Sequence, residues 1–234
     1  MAFRITRYEI KAPISPFRIA LITDMHNIAP MGLAEAVAEA KPDAIVISGD
    51  LYNGPPRNKT FCYDKALACL SDLAPIAPIF YSQGNHDKTL TDEVRSAIDR
   101  LGVHLMTDTF ERFGEVVFGG LGSAYIGHKS ERPNMEFIES FVKQEGYRIL
   151  ICHHPEYFRA YLRPYDIPLI LSGHNHGGQW ALFGQGLYVP GQGLFPKHTS
   201  GVNEGRLVVS RGISNPTLVP RIGAPTELVI LDLK

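Results

Sequence analysis

Three observations predict an α/β fold whose first half is a parallel sheet covered by helices and whose second half is a mixed or antiparallel sheet. From Phe17 to Leu101, short apolar runs with the branched content of buried strands alternate with helical stretches, the β-α-β-α order of parallel strands. From Val103 onward strand-like runs follow one another with few helices between them. Five of the runs end on carboxylate, amide or imidazole side chains, and in an open α/β sheet ligands gather beyond the carboxyl ends of the strands.

Phe3 to Ile10 alternates apolar and polar residues as an edge or half-buried strand does, and Phe17 to Thr23 reads as the first site-bearing buried strand. Met31 to Ala40 is alanine-rich and helical, closed by Lys41-Pro42. The strand Ala44 to Ser48 leads into a loop at 49–59 whose Asn53-Gly54-Pro55-Pro56 forbids regular structure. A helix over Phe61 to Leu73, a strand over Pro78 to Ser82 and a helix over Thr91 to Leu101 continue the alternation. Thr109 to Phe113 and Glu115 to Gly119 flank Gly114 as a hairpin. A helix over Asn134 to Glu145 precedes the strands Tyr147 to Cys152 and Ile167 to Ser172. Three further strands, Gln179 to Phe183, Arg206 to Ser210 and Thr226 to Leu233, have no helix between them. The aperiodic, glycine-rich stretch 184–205 suits a functional loop more than a linker.

With 234 residues and 44% hydrophobic content the chain can bury one sizeable core, and we expect a single domain over residues 1–234. No apolar run approaches the roughly 18 residues of a bilayer span, and the opening Met1-Ala2-Phe3-Arg4 leads into charged alternation; a soluble, cytoplasmic protein is expected. A formal net charge of -1 without a basic block excludes the electrostatic footprint of a protein for long nucleic acid. Cys62, Cys69 and Cys152 have neither disulfide nor zinc-finger spacing and are expected to be buried thiols.

The five strand ends carry Asp24-Met25-His26, Gly49-Asp50, Gly84-Asn85-His86-Asp87, Cys152-His153-His154 and Gly173-His174-Asn175-His176. Side chains at i and i+2 of an extended segment share a face, so Asp24 with His26, and His174 with His176, can each converge on one site. Asp50, after a glycine at a strand end, can bridge two cations. Asn85 adds a neutral oxygen, and His26, His153, His174 and His176 complete a nitrogen and oxygen ligand set. Two cations about 3.5 to 4 Å apart lower the pKa of a shared water and stabilise the attacking and leaving oxygens of an in-line displacement, which is the chemistry of phosphoester hydrolysis. A leaving alkoxide needs a proton, for which His86 is the candidate donor, with Asp87 orienting it through the second ring nitrogen.

In this order the blocks Asp-X-His, Gly-Asp, Gly-Asn-His-Asp, His and Gly-His-X-His resemble the calcineurin-like metallophosphoesterases, over nearly the whole chain from Asp24 to the last strand. Gly173 to Gln179, Leu187-Tyr188-Val189-Pro190, Val209-Ser210-Arg211-Gly212 and Arg221 to Glu227 are similar to a bacterial branch of that family. Some members of the branch are membrane-tethered or act on phospholipid or nucleotide-sugar lipid substrates. The resemblance implies a four-layer α/β/β/α sandwich with two mixed β-sheets. It implies a first metal on Asp24, His26, Asp50 and His176 and a second on Asp50, Asn85, His153 and His174. Two features depart from the pattern: many members have a further acidic residue where this chain has Tyr52 or Asn53, and the membrane anchor common in the branch is not expected here.

The sequence thus leads to a metal-dependent phosphoesterase in which a bridging hydroxide attacks phosphorus in line, with inversion and no phosphoenzyme. Phosphodiesters or pyrophosphates are the expected substrates, small molecules with lipid-linked and nucleotide esters among the candidates. A phosphomonoesterase is the alternative, and a non-catalytic scaffold a more distant one. The ligand set accepts Mn, Fe, Zn or Co. Arg57, Lys59, Lys197 and Arg211 are candidate phosphate contacts, and His154 a substrate or outer contact. His104 and His128 are expected to be structural and His198 to face solvent, with a phosphate contact as the alternative for His198. Trp180, Phe183, Tyr188 and Phe195 are expected in the core, with a lipid-facing or base-stacking rim as the alternative.

Overall fold

The computed structural model describes residues 3–53, 63–87, 90–126, 129–130, 132–189 and 193–234. Arg57, Lys59, Cys62 and His128 lie outside them. The first sheet contains β1 (Arg4–Ile10), β2 (Phe17–Ile22), β3 (Ala44–Ser48), β4 (Ile79–Ser82) and β5 (His104–Met106). The second contains β6 (Thr109–Phe113), β7 (Val116–Leu121), β8 (Tyr147–Cys152), β9 (Leu169–Ser172), β10 (Gly201–Asn203) and β11 (Leu207–Val209). The final strand, β12 (Glu227–Leu233), returns to the first sheet and lies between β1 and β2.

Both sheets are mixed. In the first, β2, β3, β4 and β5 are parallel, while β12 runs antiparallel to β2 and parallel to β1. In the second, β7, β8, β9 and β11 are parallel and the edge strands β6 and β10 antiparallel. The sequence places β12 with the later strands, but its run Leu228 to Leu231 is wholly buried and carries no mark of which sheet will take it.

Helices α1 (Leu33–Ala40), α2 (Asp64–Leu73), α3 (Asp92–Arg100) and α4 (Met135–Phe141) begin where local chemistry permits. Thr91 Oγ1 accepts the Val94 N–H and Asn134 Oδ1 the Phe137 N–H, each supplying a partner to an amide that the first helical turn leaves free. Gly32, at φ 83, keeps α1 from starting as early as Met31.

Strand alternation divides the core into three layers of contact. In β2, Ala20 and Ile22 face α1 and α2, whereas Ile19 and Leu21 face the other sheet. In β8, Ile149 and Ile151 face the first sheet, and Leu150 and Cys152 pack with Phe137 and Phe141 of α4. The result is the four-layer α/β/β/α sandwich. Gly119 in β7 gives the Phe141 ring room to lie on the sheet, because a Cβ there would stand 2.6 Å from Cε2 of that ring. Among the described residues no helix is long and apolar enough to cross a membrane.

Phe80 of β4 and Phe118 of β7 stack across the two sheets with ring centroids 4.1 Å apart, and both are fully buried. Phe118→Ala should therefore lower unfolding free energy by about 3–5 kcal/mol, read from the denaturant midpoint at unchanged m-value.

Candidate metal centre

The carboxyl ends of β2, β3 and β4 from one sheet and of β8 and β9 from the other meet at one end of the sandwich. There, Asp24, His26 and His176 form one group of possible ligands and Asp50, His153 and His174 another, each with its ligand atoms within 4.8 Å of one another. Asp50 Oδ2 lies between the two, 3.7 Å from His26 Nε2 and 3.2 Å from His153 Nε2. Asp24 Oδ1 is 3.6 Å from His176 Nε2 and 4.0 Å from His26 Nε2. Asn85 joins through its chain neighbour, since the His86 N–H donates to Asp50 Oδ1 at 2.9 Å.

Strained backbone and missing side chains make this convergence possible. Asp24, His26, Asp50, His174 and His176 have φ of 54, 49, 53, 69 and 47°, the left-handed region that non-glycine residues rarely occupy. Such geometry costs of order 1–3 kcal/mol per residue and persists only where the surroundings fix it. Here the Asp24 N–H donates to the Gly49 carbonyl at 3.1 Å and the His26 N–H to the Asp50 carbonyl at 3.0 Å. The glycine of each block serves the ligand of another. A Cβ on Gly84 would strike the Asp50 carboxylate, one on Gly173 the Asp24 carboxylate, and one on Gly49 the His153 ring. Gly212, from the loop after β11, backs Asp24 in the same way, with a Cβ there 2.8 Å from Asp24 Cβ.

The hydrogen bonds leave lone pairs turned inward. His153 Nδ1 lies 2.8 Å from the Ser48 carbonyl, which can only accept, so the ring hydrogen sits on Nδ1 and Nε2 is free to bind. His26 Nδ1 is 2.9 Å from Asn53 Oδ1, and with that amide oxygen accepting, Nε2 is again open. Asn53 thus performs with a neutral amide the orienting task of an acidic residue. His26 Nε2 and Asn85 Oδ1 are buried without a hydrogen-bond partner among the described residues, as ligands awaiting a cation are. Burial pulls the Asp50 carboxyl up, but His153, His26 and His86 outweigh it and hold its pKa well below the ordinary value. Asp24 is lowered too, burial being overcome by His176, His153 and His26. Burial alone would lower His153, yet Asp50 and Asp24 raise it to about 10. A proton on His153 therefore occupies the place that a cation would compete for. The residues fit a nitrogen and oxygen metal site.

The family model for calcineurin-like phosphoesterases matches residues 17–178, which is more than half of the chain and includes all five blocks. The chain belongs to the calcineurin-like phosphoesterase family. It is 26% identical to phosphodiesterase YaeI of Escherichia coli, over 99% of this chain and 88% of that protein. It is 29% identical to metallophosphoesterase Cj0846 of Campylobacter jejuni, over 93% of this chain but only 59% of the relative's length. Among solved structures it is similar to the phosphoesterase Yfce of E. coli, with a TM-score of 0.39 and 15% identity over 91% of this chain and 87% of that one. As a member of the calcineurin-like phosphoesterase family, the chain is a hydrolase acting on ester bonds.

Within this phosphoesterase several side chains depart from what the sequence suggests. Asp87 does not orient His86. Its buried carboxylate accepts the N–H groups of Leu51, Tyr52 and Gly84 at 3.3, 3.2 and 2.9 Å, so it shapes the loops that carry Asp50 and Asn85. Burial, aided by Asp50, raises its pKa against the pull of the Gly84 and Tyr52 amides. His86 approaches from the open side, its ring centroid 5.0 Å from that of His26, and forms a further group with His26 and Asp50. Burial lowers its pKa, with Asp50 opposing. His198 is half-buried and packs edge-on against Phe158 at 5.8 Å instead of facing solvent. Arg211 is bound to Glu227 at 2.5 Å. Trp180, Phe183, Tyr188 and Phe195 are all exposed, and Leu182, Leu194 and Ile222 with them.

Sequence reasoning passed over Glu156 and gave Arg221 no role at the site. Glu156 Oε1 lies 3.3 Å from His154 Nδ1 and 3.8 Å from His174 Nε2, and Arg221 donates to His176 Nδ1 at 2.9 Å. Glu156 had a local signal, standing three residues after His153; Arg221 opens the block Arg221 to Glu227, but nothing local announced its bond to His176, 45 residues away.

Gly84 and Gly173 lie outside the left-handed region, so space alone requires them to lack a side chain. Gly84→Ala and Gly173→Ala should each lose bound metal in a folded protein, as read by elemental analysis and circular dichroism. Gly102→Ala, at φ 70 with open space around it, should keep its metal and lose only about 1–2 kcal/mol.

Proposed function

We propose that the chain hydrolyses phosphodiester or pyrophosphate bonds at a centre of two cations. The observation that supports this best is the position of Asp50, one carboxylate within reach of both ligand groups. Asp24, His26, Asp50 and His176 would hold one cation, and Asp50, Asn85, His153 and His174 the other, with Mn, Fe or Zn all compatible with the donors. When bound, the cations supply Lewis acidity, lowering the pKa of water and neutralising phosphoryl charge.

The chain's own residues do the rest. The Ser48 carbonyl and the Asn53 amide fix the His153 and His26 rings, and the glycines hold the carboxylates in place. His86, exposed at the open side of the cluster, is placed to give a proton to the leaving oxygen. Burial lowers its pKa, with Asp50 opposing, and a proton from it would matter most for poor leaving groups.

The choice of diesters or pyrophosphates rests on charge. Arg211 is engaged by Glu227, and no pair of free guanidinium groups for a phosphate dianion is found among the described residues of the site. The name of the E. coli relative, phosphodiesterase, agrees. The exposed aromatic and aliphatic set at 180–195, directly after the last ligand block, supports a substrate whose phosphoryl group is attached to a sizeable apolar or aromatic moiety.

Reconstituted with Mn or Zn, the protein should hydrolyse bis(p-nitrophenyl) phosphate faster than p-nitrophenyl phosphate and be inactive after chelation. Turnover of the monoester alone would transfer the assignment to the phosphomonoesterases, and no turnover of either by the loaded protein would revive the scaffold. Asp50→Asn should abolish activity. His86→Ala should slow a substrate with an alkyl leaving group by about 10²-fold or more and a p-nitrophenyl ester much less; equal losses on both would remove His86 as the acid.

A further inference from the structure

Arg221 is held at the edge of the site by four acceptors. Its Nη1 donates to the carbonyls of His176 at 3.1 Å and Arg211 at 2.5 Å. Its Nη2 donates to the carbonyl of Ser214 at 2.5 Å and to His176 Nδ1 at 2.9 Å. Its Nε is buried with no hydrogen-bond partner among the described residues.

A guanidinium has five N–H donors and no acceptor, so the contact with His176 has only one sense: the ring offers its Nδ1 lone pair. A neutral imidazole has one such lone pair. With Nδ1 accepting, Nε2 carries the hydrogen and faces Asp24 Oδ1 at 3.6 Å. In this state His176 cannot offer Nε2 to a cation. Taking one requires the hydrogen to move, leaving Nε2 to water and returning from water at Nδ1 with no change in total protonation, or the ring to turn over. Either change removes the acceptor from Arg221 Nη2, and the first sets N–H against N–H.

We propose that Arg221 is a phosphoryl-binding residue, and that loading of His176 with a cation releases its Nη2 donor to a substrate oxygen. The contacts to the Arg211, Ser214 and His176 carbonyls keep the guanidinium one imidazole ring away from the cation position, where the phosphoryl oxygens of a substrate must sit. One released donor matches the single negative charge of a diester or of one pyrophosphate centre. Arg221 would sense cation loading before it engages substrate, so an unloaded site would bind the phosphoryl group weakly. The inference rests on the phosphoesterase reading above, and its test reads binding, not turnover.

Inorganic phosphate is titrated by calorimetry into the Zn-loaded and the metal-free protein, for the unmodified chain and for Arg221→Lys and Arg221→Gln, with zinc content and circular dichroism recorded for each. In the loaded protein Arg221→Gln should weaken phosphate about tenfold or more, with Arg221→Lys intermediate and zinc content unchanged. In the metal-free protein the substitutions should make no difference. Equal phosphate affinity in all three loaded proteins would overturn the proposal. So would loss of zinc from folded variants, which would mean that Arg221 acts only by positioning His176. If neither variant folds, nitrogen-15 spectra of the unmodified protein decide: the His176 hydrogen should be on Nε2 without metal and on Nδ1 with it, and one tautomer in both states would contradict the mechanism. Failure of all phosphoesters to turn over would count against the proposed function, whereas these readings count against Arg221 alone.

Discussion

The buried Asp50 carboxylate is the point on which the two sheets depend. It stands at the end of a strand of the first sheet, yet its Oδ2 is 3.2 Å from His153 of the second, and its Oδ1 accepts the His86 N–H. The seam beside it is made the same way: Ser48 Oγ donates to the Leu171 carbonyl at 2.9 Å, and the Ser48 carbonyl accepts from His153. A carboxylate in such surroundings is stable only with positive charge beside it. Without cations that charge falls to His153, whose raised pKa keeps it protonated. The site is therefore a pocket whose electrostatics demand cations, held by a frame that Leu, Ile, Val and Phe side chains pack independently of them.

That separation explains why strain is tolerated. Five candidate ligands sit at positive φ, and the interlayer core is large enough to sustain their cost. The glycines are the other half of the arrangement. Gly84 yields space to Asp50 and Gly173 to Asp24, so each block of the sequence is shaped by the needs of a different block. Order along the chain and neighbourhood in space are thus interleaved.

Much of this was legible in the sequence, for physical reasons. Buried parallel strands are continuous apolar runs, so Ala44 to Ser48 and Tyr147 to Cys152 show their bounds directly, and the residues after them must lie at the sheet's carboxyl edge. What stayed hidden depends on distance along the chain. The insertion of Glu227 to Leu233 between the first two strands, the Gly212 contact with Asp24 and the bonds of Arg221 to His176 join segments with no local pattern to announce them. Asp87 misled for a different reason: adjacency to His86 suggested a dyad, but its carboxylate turns to the backbone amides of Leu51 and Tyr52. The exposed aromatics at 180–195 read as core because composition cannot tell a buried ring from one on a projecting loop.

The most direct test of the account is the cation stoichiometry of the purified protein, measured by elemental analysis after reconstitution and dialysis and located by anomalous scattering in a crystal. Two equivalents per chain are predicted, on either side of Asp50, one toward His26 and one toward His153. A single equivalent, or two that lie elsewhere with Asp50 uncoordinated, would contradict the account.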